Sequence, residues 1–141
     1  MKTFKIAIDI NAPQSQVWDA LFDLKNYGNW NPTIPTGLGK LDVNEMLELT
    51  WQRPKRQIIF HPKILAIELG RKMTFTTYII HPTLTKMVHH FVLESINENT
   101  TKFTQSWECN GLLIGLLWSS ILTGFKEFKN MNEALKQYLE M

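Results

Sequence analysis

Apolar and polar side chains alternate from the start of the chain. In residues 3–10, TFKIAIDI, Phe4, Ile6, Ile8 and Ile10 share one face, while Lys5, Ala7 and Asp9 take the other. That is the period of a half-buried strand. Asn11–Pro13 ends it. Pro13 suits the first turn of a helix, where its missing N–H costs nothing. Val17, Trp18, Leu21 and Phe22 then give that helix an apolar stripe. Asp23 is placed to cap a second short helix running through Tyr27. Residues 29–39, NWNPTIPTGLG, hold two prolines and two glycines and read as a loop. Trp30 and Ile34 prefer burial, so this loop is expected to fold back over a core or a pocket mouth.

Strand patterns fill the middle of the chain. MLELTW (46–51) alternates, as do residues 58–64, where Pro62 marks an edge, bulge or bend. Residues 64–69 continue the same strand past that bend. MTFTTYII (73–80) is rich in β-branched and aromatic types. MVHHFVLE (87–94) and TKFTQSWEC (101–109) are joined by the turn residues Asn97–Thr100.

From Gly111 to Glu140 the period changes. Ile114, Trp118, Ile121, Phe125, Phe128, Leu135 and Leu139 fall on steps of three and four, one side of a helix for which Asn110 is the expected N-cap. Unbroken, this run extends roughly 45 Å. It therefore crosses a full sheet, or breaks near Gly111–Gly115 or at Gly124. No charge occurs between Glu108 and Lys126, so its first half needs cover on several sides. Residues 111–125 fall short of the roughly 20 needed to span a bilayer, which makes them a core helix. The expected fold class is α+β: one domain over residues 1–141, with six or seven antiparallel strands curling around the long C-terminal helix.

Composition narrows the function. The 141 residues carry a net charge of +2, too little for a nucleic-acid surface. The basic run Arg53, Lys55, Arg56 surrounds Pro54 and reads as a solvated hairpin turn. A single cysteine, Cys109, rules out an internal disulfide. The N-terminus lacks an apolar signal region, so a cytoplasmic location is expected. Five Trp and eight Phe must line either a dense core or a cavity.

Four histidines are present, and none has metal-ligand spacing; neither a metal nor a cofactor is expected. His89 and His90 point to opposite faces of their strand. His89 shares its face with Phe91 and Leu93, so it is the inward one. Gln105 lies between Phe103 and Trp107 on a face that should be buried. A buried amide needs partners: a neighbouring strand or helix group, or a polar group of a ligand, with Thr77 and Tyr78 assisting. Cys109 has no assignable basic partner and reads as an inert thiol.

Four segments resemble the START-like, Bet v 1-like helix-grip superfamily, in particular bacterial polyketide cyclase/dehydrase-type domains of the SRPBCC group. They are IDINAPQSQVWDALFDLKNYGNWNP (8–32), HHFVLE (89–94), TTKFTQSWECNGLL (100–113) and GFKEFKNMNEALK (124–136). The resemblance implies a hydrophobic cavity between the curled sheet and the last helix. Trp51, Phe60, Phe75, Phe91, Gln105 and Trp107 would look into it, with His89 beside them. Trp118, Ile121 and Phe125 would form its lid, and Trp30 would sit near its mouth. Relatives often carry polar or ionisable groups where this chain has Gln105 and Trp107. A Trp at 107 fills volume and transfers no proton, which argues against acid–base chemistry and for a small cavity.

Three readings follow. The first is binding or carriage of a small hydrophobic ligand, lipid- or polyketide-like, by a monomer or homodimer without stable membrane insertion. The second is a polyketide cyclase/dehydrase-type enzyme. The third is a protein-interaction module acting through the Trp30 loop and the apolar start of the last helix.

Overall fold

The computed structural model describes residues 1–141. Strand β1 (Lys2–Ile10) leads into α1 (Gln14–Leu21), a 3₁₀ helix (Leu24–Asn29) and β2 (Thr36–Leu38). Then come β3 (Glu48–Gln52), β4 (Gln57–Phe60), β5 (Lys63–Glu68), β6 (Lys72–Tyr78), β7 (Lys86–Asn97) and β8 (Thr100–Asn110), followed by α2 (Ile114–Lys126) and α3 (Phe128–Leu139). One antiparallel sheet has the order β1-β8-β7-β6-β5 and a second has the order β2-β3-β4. Each expected strand is present. The additional one, β2, lies inside the loop of residues 29–39, where Gly37 pairs with Leu49.

β4 and β5 are not one bent strand. Pro62 cannot donate to a ladder, and the chain changes sheets there. β4 stays with β3, while β5 joins β6. The two sheets remain stitched: Leu47 N donates to Pro62 O at 2.9 Å, and Ile64 N to Glu45 O at 2.9 Å. A register shift between Ile64 and Ala66 adds curvature.

The C-terminal helix breaks at neither glycine cluster. Asn110 closes β8 instead of capping a helix, and α2 begins at Ile114. The break falls at Glu127. Its N–H bonds Gly124 O and its carbonyl accepts from Asn130 N, each at 3.1 Å and three residues apart, a local tightening that re-aims the axis. α3 buries Phe128, Met131, Asn132 and Leu135, one face at helical spacing. Its far end is tied to β1 through Lys136 Nζ, which donates to Asp9 O at 2.9 Å. No helix is long and apolar enough to cross a membrane.

The corner from β8 into α2 depends on Gly111. Its φ is +137°, and a Cβ there would lie 2.2 Å from Leu84 O. Backbone cannot yield as a side chain tip can, so Gly111→Ala is expected to cost about 3 kcal/mol from strain and clash. Gly115 has nothing within 4 Å of an added Cβ, so Gly115→Ala should stabilise by up to about 1 kcal/mol. Urea denaturation of the two variants checks this opposition; equal midpoints would contradict the assignment of the corner.

Candidate functional site

Sheet and helices do not close on each other. Between them lies a cavity of about 520 Å³, lined mainly by apolar side chains. That is a usual size for a small-molecule pocket. The small cavity expected from Trp107 is therefore corrected. Its ring is part of the wall, stacked 4.2 Å from His89 and 4.7 Å from Phe125 by ring centroids, and the space remains beside it. Phe128 closes this floor edge-on at 5.3 Å from Trp107.

Trp51, Phe60, Phe75, His89, Phe91, Trp107, Ile121 and Phe125 all line the cavity. Trp30, Gln105 and Trp118 do not. Trp30 is buried on the other side of its loop, stacked 6.1 Å from Tyr138 of α3 and edge-on to Tyr27. Asn31 Oδ1 accepts from Thr33 N and Ile34 N at 3.1 and 2.9 Å, and this turn sends Ile34, not Trp30, to the cavity. Trp118 lies on the flank of α2 shared with Phe125, whose ring faces Phe4 of β1. Leu117, Ser120, Ile121 and Gly124 form the flank facing the cavity, and Phe125 borders both flanks. A helix apolar on all sides gives no single stripe from which to choose between these flanks.

Gln105 is fully buried, and its partners come from the protein. Its Nε2 donates to Asn132 Oδ1 of α3 at 2.6 Å, and its Oε1 lies 2.9 Å from His89 Nε2. With the amide oxygen accepting, His89 carries its proton on Nε2 and leaves Nδ1 as an acceptor. Burial pushes the His89 pKa down to about 3, against the opposing pull of Gln105. The cavity wall therefore carries a neutral imidazole whose proton is already committed, a poor general acid or base near neutral pH. Cys109 is also buried, and desolvation raises its thiol to about 11. Tyr27 donates its hydroxyl to Leu21 O, and burial raises its pKa.

Lining residues that also reach solvent mark the mouth: Arg56, Tyr78, Ile79 and Ser120. It lies between the β3–β4 hairpin, the end of β6, and α2. Sequence reasoning missed Arg53 and Arg56 as lining residues, because nothing local distinguishes a basic turn in solvent from one at a rim. It also missed the notch at Gly124, where a Cβ would meet Trp51 Cη2 at 2.8 Å. This notch seats the Trp51 ring against α2.

A curved antiparallel sheet gripping a C-terminal helical segment around an apolar cavity defines a helix-grip domain of the START-like, Bet v 1-like class. The chain belongs to the family described as polyketide cyclase/dehydrase and lipid transport, whose sequence model matches residues 1–140. No curated protein sequence matches it. Among solved structures it is similar to the di-domain ARO/CYC BexL of the BE-7585A biosynthetic pathway, with TM-score 0.78 and 15% identity over 99% of this chain and 47% of that one. A START superfamily protein from Mycobacterium smegmatis gives 0.74 and 14% over 98% and 97%. A norcoclaurine synthase point mutant from Thalictrum, in complex with a transition-state analogue, gives 0.75 and 11% over 98% and 93%. At these identities the likeness is one of fold.

The half-buried imidazole on the cavity wall makes stability depend on pH. Unfolded, His89 titrates near its ordinary value of about 6.5, whereas folded it stays neutral to about 3. Its contribution is therefore complete above about 6.5 and is lost as pH falls below it, because only the unfolded chain takes up the proton. The slope is at most about 1.4 kcal/mol per pH unit, so acidification from pH 7 to 5 should cost about 2 kcal/mol. Urea midpoints of the wild type and His89→Gln at both pH values check this. The variant should lose clearly less, and parallel losses would contradict the neutral assignment of His89.

Proposed function

We propose that the protein binds a small hydrophobic ligand, lipid- or polyketide-like, in the cavity between the sheet and the C-terminal helices. The carrying observation is the cavity itself: about 520 Å³ with predominantly apolar walls and an opening to solvent. Several of its polar groups are engaged already, Thr76 among them, which donates to Met87 O at 3.1 Å. His89 is bonded to Gln105 and Tyr27 to Leu21 O, so the ligand is held by aromatic surface and contributes few buried polar groups of its own. The family description, which joins cyclases and lipid transport, supports this class of ligand. A cyclase-type reaction draws support from the same description and from the BexL likeness. The neutral, committed His89 weighs against His89-mediated acid–base catalysis and favours binding as the primary role.

Two measurements test the reading. Native mass spectrometry of protein from its own host should show a bound small molecule that denaturation releases. Fluorescence titration with neutral N-phenyl-1-naphthylamine should show saturable uptake. Thr77→Trp, which places a large ring on the cavity-facing side of β6, should weaken uptake by tenfold or more while the thermal melt stays cooperative. Equal probe affinity in wild type and Thr77→Trp would contradict the assignment of the cavity as the site.

A further inference from the structure

The charges around the cavity are one-sided. No aspartate or glutamate lines it, and its only permanently charged side chains are Arg53 and Arg56, both on the β3–β4 hairpin at the mouth. The two arginines differ in their engagement. Arg53 is half-buried, with its guanidinium 4.6 Å above the Trp51 ring and its Nε 2.8 Å from Glu127 Oε2. Its N–H points at Oε1 at 3.2 Å, so the pair is both ionic and hydrogen-bonded. The backbone bond from Arg53 N to Arg56 O, 2.8 Å, then closes the hairpin and fixes where Arg56 departs. Arg56 is exposed and has no carboxylate partner. The hairpin thus holds one neutralised cation as a structural anchor and one free cation at the rim.

We infer that the ligand is an amphipathic anion, whose apolar body enters the cavity and whose single carboxylate or comparable acidic group stays at the mouth against Arg56. This rests on the cavity being the binding site. The polarity follows from desolvation. An ionised group taken among the aromatic walls loses its hydration without a charged partner, which costs several kcal/mol even after relaxation. The charged end therefore stays at the opening. There a guanidinium offers paired N–H donors that match a carboxylate, and a cationic ligand meets like charge with no acid to offset it.

The test compares three ligands of one chain length below their aggregation limits: dodecanoate, dodecanol and dodecylamine. Each competes against N-phenyl-1-naphthylamine on the full-length protein and on Arg56→Gln. Arg56 is exposed, so this substitution removes no core packing. Dodecanoate should bind about threefold to fivefold tighter than dodecanol, the upper range for a solvent-exposed ion pair, and dodecylamine more weakly than either. The acid-to-alcohol ratio should fall toward one in Arg56→Gln, and also with added salt. Equal binding of acid and alcohol, or a ratio untouched by Arg56→Gln, overturns the anionic assignment while leaving the cavity reading intact. If neither the neutral probe nor any of the three chains binds, the cavity reading fails, and this inference with it.

Discussion

α3 is held to the sheet by a chain of hydrogen bonds, Asn132 to Gln105 to His89, the first buried and the second partly so. The chain runs across the aromatic layer that surrounds it. Its middle member is fully buried on β8, an interior strand paired with β1 and β7, so removing either partner leaves an amide unpaired, at a cost of about 1–3 kcal/mol. The bonds are directional, whereas the apolar packing around them is not. They therefore fix the position of α3 over the sheet in a way that Phe128 and Met131 alone would not. The same bonds set the tautomer of His89, and burial keeps it neutral. One interaction thereby positions the helix and leaves the cavity wall without charge.

Charge is excluded inside and gathered at the rim. Arg53 shows how closely rim and framework are joined, since it stacks on Trp51, bonds its own hairpin and pairs with Glu127. Glu127 is the residue at which α2 and α3 part. The hairpin that borders the mouth is therefore anchored to the kink that shapes the roof, and Trp51 seats in the notch left by Gly124. A change at any of these positions acts on both the width of the opening and the angle between the helices.

Strand faces were legible in the sequence wherever the two sides of a strand meet different surroundings. Phe4, Ile6, Ile8 and Ile10 face inward as their alternation requires, and His89 shares the inward face with Phe91. Legibility ended where the pattern was uniform or the cause lay far away in sequence. α2 is apolar on all sides, so periodicity did not separate Trp118 from Leu117. β2 is three residues long in a Pro- and Gly-rich loop, and only pairing with β3 makes it a strand. Gln105 announced its need for partners, but Asn132 lies 27 residues on and on another element. Arg53 and Arg56 read as a solvated turn because their place at the rim is set by α2 and β6.

The mouth is also what makes so large an interior space tolerable. Closed and dry, an apolar void of about 520 Å³ would cost on the order of 12 kcal/mol at roughly 24 cal/mol per Å³, a figure comparable to the whole stability of a small domain. An opening at Arg56, Tyr78, Ile79 and Ser120 lets solvent or ligand occupy it. The aromatic side chains then act as walls: Trp107 lies flat between His89 and Phe125, and Trp51 is drawn back into the Gly124 notch. Water against such walls is weakly held, so an apolar body that displaces it gains its full burial at about 25 cal/mol per Å². The stability forgone by leaving the core incomplete is thus recovered on binding, and a ligand that fills the space should stabilise the fold through ordinary linkage.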